Sequence, residues 1–218
     1  MNKSLAVSEG VHLLALGVWL GAVVMAGMSA MVVFPTMEGL EPALPAYAAY
    51  DGAHSALAAG RVMFAVFFAC DLVQLCAAFF VVMPFMAAAF GLGLSMRRPV
   101  NAFRAALVFV LAAMLAFHLV ALTPAMNTEL QAYWQAAAEG DTAMAATHKA
   151  AFDARHPTAR LVLTAMTAGL ALAFMAGVWS VATAGGAVKE AEKPTRSGHR
   201  REQGEAKLQE PLLLKRRL

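Results

Sequence analysis

Charge is what this sequence has least of. Asp, Glu, Lys and Arg make up 14% of its 218 residues, and 60% are apolar. A soluble domain has about 25% charged and about 45–50% apolar residues. Cysteine is nearly absent. Cys70 and Cys76 lie six positions apart, on different faces of a helix, which argues against a disulfide between them. Two thiols are also too few for a zinc site. There is no Gly-rich phosphate loop, no nucleophile elbow and no zinc-spaced cluster. The basic residues sit on no folded module that would present them to nucleic acid. We therefore expect a non-enzymatic protein with no catalytic residues, no metal site and no nucleic-acid partner.

What is present is apolar sequence in long blocks, the mark of membrane spans. The first block, Val11 to Phe34, carries no charge. It is too long for the apolar region of a secretory signal peptide, so a retained helix is expected. The second follows Arg61 and reaches about Phe90, with Asp71 and Gln74 inside it and Pro84 expected to kink or end it. The third runs from Ala105 to Leu122 and holds His118, and the fourth begins at Leu161. The alternating ten-residue segments of a membrane β-barrel are missing. The expected fold class is all-α: an integral membrane four-helix bundle with spans at about 11–34, 62–84, 105–122 and 161–185. This domain occupies 1–188, followed by a basic, disordered tail at 189–218.

Charge asymmetry orients the bundle. With four spans, Lys3, Arg97, Arg98, Arg104 and the tail's basic residues share one side, against Arg61, Lys149, Arg155 and Arg160 on the other. Basic flanks stay inside, so both termini are expected in the cytoplasm and the location is the plasma (inner) membrane. Between the first two spans, Pro35, Pro42, Pro45 and Asp51-Gly52 predict several turns, with the first helix leaving the membrane at Pro35. Residues 123–160 read as two polar helical arms joined at Glu139-Gly140-Asp141-Thr142, with Tyr133 and Trp134 at the membrane interface.

Asp71 is the sharpest functional signal, because an ionisable residue inside a span is costly unless paired or solvated. It lies about 15 Å from the outer end of its helix by helical rise, and His118 about 6 Å from the outer end of the next. An antiparallel neighbour brings the two within reach, directly or through water. Asp71, His118 and Gln74 are thus the candidate intramembrane polar site. It is either a protonatable or cation-binding group or a polar contact that holds helices together. His12, near the cytoplasmic end of the first helix, is the alternative cofactor ligand, for haem or copper. Met25, Met28 and Met31 form a stripe read chiefly as packing. The Gly17–Gly21 pair and the Gly169, Ala173, Gly177 stripe predict tight partners for the first and fourth helices. His148 and His156, eight residues apart, are expected on one helical face.

The run His12-Leu13-Leu14-Ala15-Leu16-Gly17-Val18-Trp19-Leu20-Gly21 followed by Pro35, then Pro124-Ala125-Met126-Asn127, then Phe152 and His156, resembles the transmembrane-protein-205-like family. The resemblance spans about residues 8 to 183. It implies a four-helix membrane domain of unassigned function, with a transport or scaffolding role. The bilayer and a helix–helix or membrane partner are its expected company. After His156 this chain has Pro157-Thr158-Ala159-Arg160, where the family pattern has small polar residues and an Asn. The first helix is also similar to those of copper-resistance membrane domains and of the haem-containing protoporphyrinogen oxidase family, a resemblance that implies His12 as a haem ligand.

Overall fold

The structure, a computed structural model, describes residues 3–191 and is helical throughout. Helix α1 spans Lys3–Leu40, α2 His54–Phe90, α3 Pro99–Phe117, α4 Thr123–Ala138, α5 Thr142–Asp153 and α6 His156–Ala191. A π-helical turn, His118–Leu122, joins α3 to α4 without a break, and a single 3₁₀ turn, Pro45–Tyr47, lies between α1 and α2. Four stretches are long and apolar enough to cross a membrane: α1, α2, the continuous α3–α4 rod, and α5 with α6. Residues 2–181 form one compact unit. The end of α6 from 182 groups apart from it; residues 189–191, where a disordered tail was expected to begin, continue this helix, and the rest of that tail, 192–218, lies outside the described residues.

Neither proline ends its helix, which corrects the expectation that α1 gives way to loop at Pro35 and that α2 stops at Pro84. Pro35 sits inside α1, which continues to Leu40. It ends only where Glu41 takes φ 45° ahead of Pro42, a left-handed residue that no helix propagates. Pro84 sits inside α2, which continues to Phe90. The Ser8 hydroxyl donates to the Pro84 carbonyl at 2.7 Å, tying α1 to α2 at this point.

Large side chains point outward all round the helices. Leu14, Phe68, Phe109, Val120 and Leu161 are all exposed, the inverse of a soluble bundle. The interior is lined by Leu16, Trp19 and Val23 of α1, Ala77 and Val81 of α2, Leu111 and Leu115 of α3, and Met166 and Leu170 of α6. Small residues set the spacing. A Cβ on Gly169 would stand 3.0 Å from Leu111 Cδ2, and one on Gly177 would stand 2.5 Å from Leu13 Cδ2. The fourth-span stripe therefore faces helix neighbours, as expected. Of the first-helix pair, Gly17 faces Phe174 while Gly21 has open space around it. Met25, Met28 and Met31, expected to pack, are instead exposed on the outside of α1.

The arms meet in a second core of Tyr47, Tyr50, Leu57, Leu130, Tyr133, Trp134 and Ala145. Tyr133 and Trp134 are thus buried rather than resting at an interface. The reason is that the loop before α2 folds back over them. The Arg61 guanidinium lies 4.0 Å from the centre of the Trp134 ring and donates to the Tyr47 hydroxyl at 2.6 Å. Between the arms Gly140 adopts φ 76°, and Asp141 caps α5 by accepting from the Met144 amide at 2.9 Å. A Cβ on Gly140 would stand 2.9 Å from Ala49 Cβ. Gly140→Val should therefore lower unfolding free energy by about 1–3 kcal/mol, through the strained φ and the Ala49 clash, as read by thermal unfolding in detergent.

Candidate functional site

Near its midpoint α2 presents Asp71, and three residues on, almost one turn later, Gln74. The π turn begins at His118, so the extra residue of this wider turn falls where α3 passes Asp71. His118 Nε2 lies 3.0 Å from Asp71 Oδ1, and Gln74 Nε2 donates to the same oxygen at 3.1 Å. The line extends both ways. Trp19 Nε1 of α1 donates to Gln74 Oε1 at 3.3 Å, and Thr123 Oγ1 lies 3.5 Å from His118 Nε2. While Asp71 is ionised it can only accept, and His118 then carries a proton on Nε2. Its Nδ1 is buried without a partner.

The three candidate residues are therefore in one hydrogen-bonded chain, in direct contact and with no bridging water needed. Gln74 is buried, and the Asp71 and His118 side chains are 15% and 11% exposed. A carboxylate held by an imidazole and an amide in an apolar bundle can gain and lose a proton, or hold a small cation, against neighbours that donate to it.

His12 belongs to a different cluster, seven residues or about 10 Å of helical rise from Trp19. Its Nδ1 lies 2.8 Å from the Val81 carbonyl, which fixes the proton on Nδ1 and leaves Nε2 bare and buried. Beside it Arg104 Nη2 donates to Glu9 Oε2 at 2.7 Å, and both side chains are almost completely buried. The Arg104 and His12 groups lie against the same Phe85 ring, at 5.3 Å and 5.2 Å from its centre. Next to them Ser180 Oγ of α6 donates to Asn101 Oδ1 at 2.7 Å, and Asn101 Nδ2 donates to the Ser95 carbonyl at 2.9 Å.

This second cluster was not foreseen. Glu9 and Arg104 read as flanking charges because they stand just outside the uncharged blocks, whereas α1 begins at Lys3 and α3 at Pro99. Their opposite signs, on helix ends expected on the same side, were the signal that could have found them.

His12 has the tautomer a metal ligand requires. No group of three or more His, Cys, Asp or Glu side chains that could hold a metal is found among the described residues, however, and the Arg104 cation stands beside His12. His148 and His156 do not share a helical face, because the turn at Ala154–Arg155 separates α5 from α6. His148 instead pairs with Glu129 at 2.8 Å and His156 lies 3.7 Å from Asp153. Both cysteines are free. No family model, curated protein or solved structure matches this chain.

Proposed function

We propose that this chain is a multi-pass protein of the plasma (inner) membrane, allied to the transmembrane-protein-205-like family, and that it carries out proton- or cation-coupled transport through Asp71 and His118. It is not an enzyme in this reading. The N-terminus, the loop from Gly91 to Arg98 and the C-terminal tail face the cytoplasm, supported by the gathering of Lys and Arg on that side. The observation that carries the transport reading is the Asp71–His118 contact at 3.0 Å, inside helices of membrane-crossing length. A purely structural polar contact would be served by Gln74 and Trp19 alone. Adding an ionisable pair to a low-dielectric bundle is costly, and such pairs mark proton and ion paths.

The test is flux in proteoliposomes with a pH-sensitive dye inside. Wild-type vesicles should dissipate an imposed proton gradient, and Asp71→Asn vesicles should behave as empty ones. Equal flux from the two would end the proposal. The haem or copper alternative rests on the bare Nε2 of His12. A Soret band or stoichiometric copper in the purified protein that disappears with His12→Gln would favour it.

A further inference from the structure

The Glu9–His12–Arg104 cluster leaves four buried polar atoms without partners: Glu9 Oε1, His12 Nε2, Arg104 Nε and Arg104 Nη1. Leaving one buried polar atom unmet costs about 1–3 kcal/mol. Four within two helix turns of one another on α1 and α3 therefore need an occupant. Its chemistry can be found by elimination. Glu9 and His12 have the Glu-x-x-His spacing that holds metals in helical bundles. Here, however, Arg104 already holds Glu9, which leaves too little negative charge for a metal dication. Glu9 in turn opposes a lone anion. Two of the open atoms are donors, on Arg104, and two are acceptors, on Glu9 and His12. What satisfies both kinds is water, the usual occupant of polar internal sites.

We propose that Glu9, His12 and Arg104 form a hydrated proton-binding site in which His12 Nε2 is the base. In the proton-bound state the Nε2 lone pair takes H⁺ from a hydronium, forming an N–H bond and releasing water. Glu9, one turn earlier on the same helix, offsets the imidazolium charge. The other groups around it are few. From α1 come Glu9 and Ser8. From α2 come the Val81 carbonyl and the Phe85 ring, with no ionisable side chain between Val81 and Phe90. From α3 comes Arg104. From α6 come Gly177, whose Cβ would stand 3.7 Å from Arg104 Nε, and Ser180, through Asn101. The next cations along the chain are Lys3 and Arg98, each six residues away. Nearest the surface is an open groove of about 620 Å³ between α1 and α2, lined by Lys3, Ser4, Ser8 and Pro84 among others.

The site also has a place in the bundle. The Trp19–Gln74–Asp71–His118 line ends about 10 Å of helical rise from His12. The fully buried Leu16 lies between them on α1, and Ala77 and Ala78 lie between Gln74 and Val81 on α2. Two titratable stations on either side of one apolar layer form the two ends of a proton path. That last step rests on the transport reading, while proton binding at His12 does not.

The test uses the full chain in detergent with ¹⁵N-labelled histidine rings, His12 being assigned by its loss in His12→Gln. As pH falls, the His12 signals should pass from the Nδ1–H tautomer to imidazolium. Glu9→Gln should lower the midpoint, since Arg104 is then uncompensated. If Glu9→Gln does not fold, the wild-type titration decides alone. A His12 ring that stays neutral across the whole range in which the protein remains folded overturns the proposal. In proteoliposomes His12→Gln, whose amide can still reach the Val81 carbonyl, should lose proton flux. If Asp71→Asn abolishes flux and His12→Gln does not, transport stands and the His12 station is overturned as part of it. If wild-type vesicles show no flux but His12 titrates as expected, the transport reading fails and the proton site remains.

Discussion

Arg104→Ala should leave this protein barely folded. The arginine side chain has no exposed surface, and its Nη2 donates to a Glu9 carboxylate that is itself buried. Removing it leaves that carboxylate buried without its counter-charge. Breaking a buried pair from one side costs about 3–5 kcal/mol, against a total stability of about 5–15 kcal/mol for a typical domain. Packing is lost as well, since the guanidinium lies against Phe85 and close to Gly177. Denaturant-induced or thermal unfolding in detergent would read the loss. Removing both charges, with Glu9→Ala and Arg104→Ala together, should restore much of it, because no lone charge then remains inside. A single Arg104→Ala that unfolds with the wild type would mean that the Glu9–Arg104 pair does not hold the fold.

Asp71→Asn should show the opposite pattern: full loss of proton flux with little loss of stability. The amide oxygen of Asn still accepts from Gln74 Nε2 and His118 Nε2, so the hydrogen-bonded chain survives the exchange. What disappears is the ability to change charge. Asp71→Leu breaks both bonds and strands two donors, so it should reduce stability as well, by about 1–3 kcal/mol for each unmet donor. Flux and unfolding measured side by side on the two variants separate a group that titrates from one that merely holds helices together. Flux that survives in Asp71→Asn but fails in Asp71→Leu would assign Asp71 to structure.

The spans were readable because soluble folds rarely contain uncharged stretches of membrane length. The arms were readable because Gly140 and Asp141 supply a left-handed turn and a helix cap within two residues. The Asp71–His118 pair was legible for a similar reason: each is an isolated ionisable side chain in an apolar block, on neighbouring antiparallel segments. The Glu9–Arg104 pair was hidden because the rule that found the spans assigns any charge at a block's edge to the water. Helices here run well past the uncharged stretches, Lys3–Leu40 against 11–34 for the first, so edge charges lie inside. Pro35 and Pro84 misled in the same direction. A proline signals a break only where packing does not hold the helix on both sides of it, and that packing comes from segments far away in sequence. The burial of Trp134 depends likewise on Arg61 and Tyr47, from segments that alone show no reason to meet it.

The π turn at His118–Leu122 carries a further consequence. A π turn contains one residue more than the α turn it replaces. Winding the same residues as unbroken α-helix would turn everything beyond 118–122 by about 100°. Leu130, Tyr133 and Trp134 would then face away from the loop residues they now pack against. The wider turn therefore absorbs one extra residue while keeping the contacts on either side of it in phase. The segment acts as a phase marker, joining two rows of contacts that a regular helix could not serve at once.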